Sequence, residues 1–229
     1  MLVHETNLSA TINAINGQLF EGLSLTQDEM ERTVEFLLRR QVRSGRECGI
    51  FRPFPEEYET GICVPTGERL RTQWAVRNVI TLEAARILSL FGEELPEVRR
   101  ALSRTSMTIG HACFAVSHCV VGECAYSSIA YMRDAAVDRS GKRRKWIERQ
   151  IELIAAHRDG SGRWRKFPFY YTLTALVEVG TPPANAELMY AWPACRRVCS
   201  RAATHAYSQL RQRIVTRVLE AERTPCPGR

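Results

Sequence analysis

"HRDGSGRWRKFPFYYTLTALVEVG", residues 157–180, runs a glycine-rich basic turn containing a tryptophan straight into an aromatic-led apolar segment. Glycine permits a tight reversal of the chain. The segment after it, Phe169 to Val179, is apolar round most of its circumference, as expected of a helix sandwiched between neighbours. Gly180 supplies the stop. The stretch therefore reads as the reversal between two stacked antiparallel helices, its charge at the rim and its aromatics on the inner helix.

The same grammar of amphipathic helix, Gly-bearing turn and more apolar helix occurs twice more. "LTQDEMERTVEFLLRRQVRSG" opens with Thr26 and Glu29 as a capping box. Met30, Val34, Leu37, Leu38 and Val42 lie at helical spacing, Arg39, Arg40 and Arg43 suit the C-terminal end, and Gly45 is the expected stop. A turn-rich stretch, residues 44–73, holds four Gly, three Pro and Phe51, Phe54 and Tyr58, and reads as a packed surface loop and a candidate lid. It leads to "WAVRNVITLEAARILSLFG", a helix apolar nearly all round. The middle unit starts at Pro96, breaks near "HCVVGE" and resumes as "CAYSSIAYMRDAAV". After the third unit, "WPACRRVCSRAATHAYSQLRQRIVTRVLEAER" reads as one long helix with Pro193 near its first turn. No strand pattern is present, so the expected class is all-α: stacked helical hairpins forming a partial α/α toroid or arc. One domain over 1–229 follows, divided into an N-terminal extension (1–25), three hairpin repeats (26–180), a basic C-terminal helix (181–222) and a frayed tail (223–229).

The turn around Trp164 followed by "YYTLTALVEVG", together with the repeats over residues 26–180, resembles the terpenoid cyclase and protein prenyltransferase superfamily. That resemblance implies inner helices lining a central apolar cavity, and an isoprenoid or other apolar substrate, diphosphate-bearing in some members. It also implies zinc, which the prenyltransferase members bind through Asp, Cys and His. This chain lacks their Asp-x-Cys. It also lacks the Asp-rich motif of the protonating cyclases, since Asp134 and Asp138 in "RDAAVD" stand alone.

The most chemical-looking segment is "HACFAVSHCVVGECAY", which gathers His111, Cys113, His118, Cys119, Glu123 and Cys124. His111 and His118 are seven apart and share a face if the helix is continuous. Thiol and imidazole are the donors zinc prefers, giving His111, His118, Cys119 and Cys124 as candidate ligands. Without metal, Cys119 or Cys124 is a candidate nucleophile with His111 or His118 as base, and Glu123 a candidate acid or base. On the presumed inner helices Trp74, Tyr126, Tyr170 and Tyr171 are candidates for a substrate-binding wall. For all of these, burial in the core is the competing structural role.

Charge is unevenly spread. Residues 139–166 carry ten Lys or Arg against three acids, and residues 190–229 eight Arg against two Glu, within a net charge of +7. Such a basic rear half suits a nucleic acid or acidic protein partner, and its last helix suits a homodimer contact. The eight cysteines include no CxxC pair, which excludes a zinc ribbon or thioredoxin-type motif. No stretch is apolar enough for a membrane span, and the N-terminus has no signal-peptide pattern, so a cytoplasmic protein is expected. An α/α-hairpin enzyme and a non-catalytic helical scaffold both fit these features.

Overall fold

The computed structural model describes residues 2–138, 140–199 and 206–223. Among them the chain is all-α, with helices α1 (Leu8–Glu21), α2 (Gln27–Arg40), α3 (Pro55–Thr60), α4 (Gln73–Gly92), α5 (Pro96–Ile109), α6 (Cys113–Ser117), α7 (Cys124–Ala136), α8 (Arg144–Ala156), α9 (Phe169–Val179), α10 (Pro182–Cys199) and α11 (Ala206–Arg223). The Thr26–Glu29 capping box forms as expected. α4 is buried along nearly its whole length, including Glu83 and Arg86.

Helices α4, α7, α9 and α11 pack in succession, each against the next. The amphipathic helices lie outside them, and each leans on the inner helix that precedes it: α5 on α4, α8 on α7, α10 on α9. Thus successive inner helices make the most extensive contacts within the repeats, and each outer helix bridges from the inner helix that ends the preceding unit.

Four boundaries differ from the sequence reading. α2 ends at Arg40, because Gln41 turns extended and bridges to Phe51. Val42 and Gly45 therefore lie in the following loop. That loop is no free lid: Ile50, Phe51, Ile62, Val64 and Leu70 are buried in the core. Residues 1–25 are more than an extension, since α1 buries Leu8, Ile12 and Ile15 completely. Its first amides are capped by the buried Glu57 of α3, which accepts from Leu8 N at 2.9 Å and Ser9 N at 2.7 Å. Finally, the long C-terminal helix is two helices, α10 and α11, packed on each other. Pro193 lies inside α10, not at its start, and it is tolerated on the exposed face. The expected tail, from residue 224 on, lies outside the described residues.

The inner faces converge on charge. Arg133 of α7, fully buried, pairs with Glu83 of α4 and donates to both oxygens of Glu178 of α9, at 2.7 and 2.8 Å. It also donates to Asn16 of α1 at 2.8 Å. Arg86 bonds Asn16 and Glu178 as well, and the Tyr171 hydroxyl donates to Glu83. Burial alone would favour the neutral arginine, but the two glutamates raise the Arg133 pKa well above its usual value.

The opening turn docks on α10. Trp164 is buried and donates its indole N–H to Glu187 at 2.9 Å, while Arg197 donates to the Ser161 carbonyl at 2.5 Å. Gly162, at φ +87°, leaves only 3.0 Å between a would-be Cβ and the Ala194 amide, so the turn requires glycine there. Asp159 accepts from Ser161 N at 2.7 Å, Ser161 Oγ, Arg163 N and the Tyr190 hydroxyl. The Ser161 amide bond above all lowers its carboxyl from 3.8 to about 2. A depressed native pKa contributes stability above the unfolded value and loses it as pH falls through the native one. Asp159→Ala is therefore expected to be less stable than the parent at neutral pH. In denaturant titrations the gap should narrow as pH falls from 3.8 towards about 2.

Candidate metal centre

Between α5 and α7 the backbone breaks twice. Gly110 ends α5, and α6 begins only at Cys113 after the Ala112 cap. One short turn later His118 takes the left-handed conformation, φ +51°, and closes α6. A bend through Gly122 then starts α7 at Cys124. This path returns the chain on itself. It sets Cys113, Cys119 and Cys124 so that their sulfurs all lie within 4.8 Å of one another. Cys113 is exposed and the other two are half-buried.

The Cys113 and Cys124 sulfurs are 3.9 Å apart. A tetrahedral zinc with bonds of about 2.3 Å places its sulfur ligands about 3.8 Å apart, so this pair needs almost no adjustment, and the three together, all within 4.8 Å, would close by about 1 Å at most. Three soft sulfurs fit a thiophilic ion, and these residues can hold one. The thiols are not alike. A hydrogen bond from the Val121 amide, helped by the Cys113 and Cys124 thiols and the charge of Lys166, lowers the Cys119 pKa. Burial and the neighbouring thiols push Cys124 up to about 12.

The histidines do not join them. The helical break removes the shared face that a spacing of seven would give. His118 instead stacks on Trp146 at 4.5 Å and bonds Gln150 Oε1 through Nδ1 at 3.0 Å. His111 sits exposed in the turn after Gly110, apart from the cysteine cluster. Glu123 has both carboxylate oxygens engaged, accepting from Arg71 N and Thr72 N, each at 2.7 Å, and from Thr72 Oγ1 at 2.6 Å. It fastens the start of α7 to the start of α4. Neither His118 nor Glu123 is aimed at Cys119 as a catalytic base, and the ligand list loses both histidines and gains Cys113. The gain follows from the paired breaks, which the sequence showed only as Gly110 and "HCVVGE".

The aromatic candidates do not share a wall. Tyr171 is fully buried on Glu83, whereas Tyr170 lies under the Arg211 guanidinium at 4.7 Å. Tyr126 is half-buried against the core, and Trp74 is 45% exposed at the start of α4. Where the inner helices meet, Glu83, Arg133 and Glu178 form the buried charged network described above.

Three arginines of α11 are also committed to the fold. Arg211 donates to the Thr66 carbonyl at 2.8 Å and Arg217 to the Phe20 carbonyl at 2.6 Å, while Arg213 pairs with Glu21. Arg201 lies outside the described residues. Among the described residues, no helix is long and apolar enough to cross a membrane.

No family model matches this chain, and neither a curated protein nor a solved structure matches it.

Proposed function

We propose that the protein is a zinc-binding helical-hairpin module in which Cys113, Cys119 and Cys124 hold the ion and leave its fourth position to water or to a partner's donor. The observation that carries this reading is the convergence of three sulfurs within 4.8 Å on a surface turn. Bound there, zinc would tie the α5–α7 connection to α7 and supply Lewis acidity at the open position. The engaged carboxylate of Glu123 and the stacked ring of His118 leave no base beside the ion, which favours a binding or structural role over hydrolysis.

The test is metal content. The purified chain, reduced and titrated with zinc, should take up one equivalent. Cobalt(II) in its place should give the intense sulfur-to-metal absorption of a three-thiolate tetrahedral site. Cys119→Ser should weaken binding by at least about 100-fold, as expected for loss of a direct ligand. Uptake below a tenth of an equivalent, or unchanged uptake when all three cysteines are serine, would sink the proposal.

A second reading keeps the chemistry of the prenyltransferase resemblance. A substrate thiolate at the fourth position would attack C1 of an isoprenoid diphosphate, the C–S bond forming as the C1–O bond breaks and diphosphate leaves, and the exposed Val116 and Val121 in the same turns support an apolar chain there. Transfer of a prenyl group to an added thiol, dependent on zinc, would distinguish it from a purely structural site.

A further inference from the structure

We propose a second binding site, independent of the cysteines, for a nucleoside phosphate unit at the start of α4. Two neighbouring depressions, of about 270 and 580 Å³, share Tyr58 and Gln73 in their walls. Arg52 and Arg77 line the first, Arg69 and Arg71 the second, against a single acid, Glu47. Glu47 is already paired with Arg52. Arg69, Arg71 and Arg77 make no ion pair among the described residues, and the Nε of Arg77 is buried with no hydrogen-bond partner.

Two aromatic rings stand in the same groove with much of their surface in water: Trp74, 45% exposed, and Tyr58, 41% exposed. Arg77 already lies over the Trp74 ring, its guanidinium carbon 5.7 Å from the centroid; exposed aromatics beside arginines without an acid partner are the combination that holds nucleotides, with the base on a ring and the phosphate on guanidinium. The backbone amides ahead of α4 are not available to the phosphate, because Glu123 already accepts from Arg71 N and Thr72 N. Side chains must therefore meet it. The contrast with α11 sharpens the assignment. There Arg211, Arg213 and Arg217 bond the chain's own carbonyls and acids, while here the charge is left over.

A free nucleotide and a strand both carry this unit, and two ligands separate these sources. Isothermal titration of the full chain with ATP, in EDTA and without added metal, should show one site, whether or not the cysteines bind zinc. Replacing both Arg71 and Arg77 by alanine should weaken it at least about 10-fold, with a shallower salt dependence. Trp74→Ala should weaken ATP by a similar factor yet leave tripolyphosphate unchanged, because only the base stacks. Circular dichroism confirms that each variant is folded. A ten-nucleotide single-stranded RNA binding more than 10-fold tighter than ATP would assign the strand; comparable affinities would assign the free nucleotide. No binding of either ligand at about 1 mM, or tripolyphosphate binding as tightly as ATP with Trp74→Ala neutral, would overturn the site.

Discussion

Arg133→Ala is expected to destabilise the protein by about 3–5 kcal/mol, the usual effect of removing one partner from a buried ion cluster. The reason is less the lost attraction than what remains. Glu83 and Glu178 would stay behind, Glu83 almost wholly buried and already short of a partner at Oε2. Arg86 still bonds Glu178 at 2.8 Å but makes no bond to Glu83. Thermal and urea unfolding read the effect directly, as a loss of about 6–20 °C for a chain of this size. The acid side supplies a control. Arg133 and Arg86 overcome the burial of Glu178 and lower its carboxyl pKa. Its contribution is therefore present at neutral pH and lost as pH falls through that lowered value. The gap between Arg133→Ala and the parent should accordingly shrink in acid, where the stranded glutamates can take protons. A loss under about 1 kcal/mol at pH 7 would mean that the network relaxes without Arg133.

Gly49→Ala is expected to cost about 3 kcal/mol, for two reasons that add. Its φ of +92° is strained for any side chain, at about 1–3 kcal/mol. In addition, the new Cβ would lie 2.4 Å from the Arg104 carbonyl oxygen and 2.8 Å from the Thr105 amide, both backbone atoms of α5 that cannot step aside. Moving the loop away would break the bonds that hold it to α5, from Thr105 Oγ1 to the Gly49 carbonyl at 2.7 Å and from Thr108 Oγ1 to the Cys48 carbonyl at 2.5 Å. Gly45→Ala separates the two causes. Gly45 also has a positive φ, +77°, but nothing lies within 4 Å of a Cβ there. It should lose only about 1 kcal/mol. Equal losses at both positions in urea unfolding would show that contact with α5 contributes nothing.

Local rules carried the reading of the helices. The Thr26–Glu29 box, the all-round apolar face of α4 and the stops at Gly92 and Gly180 act within a few residues, and each is visible in the chain. What failed depended on partners far away. Nothing near Gln41 says that α2 must end there; Gln41 turns because its amide side chain reaches Ala101 and Thr105 of α5. Pro193 looked like a helix start because its exposed setting inside α10 is set by packing elsewhere. The cysteine segment was found, but its ligand set was not. Two turns decide which side chains meet, and a helical spacing carried through them put His111 and His118 on one face. The charged centre left a trace that was legible in principle: Glu83 and Arg86 stand in a helix with no polar face to receive them.

The hydrogen bond from Arg217 to the Phe20 carbonyl spans 197 positions, and the one from Arg133 to Asn16 spans 117. Helical arrays open at both ends are additive: repeats can be trimmed or appended, and each loses or gains one junction. Here α11 grips the end of α1, and α1 sends Asn16 into the middle. Excising any hairpin would cut junctions on both its sides and also part the two outermost helices from each other. Such a chain should melt in one cooperative step and reach its native state slowly, since its most distant segments must meet before the charges at its centre find their partners.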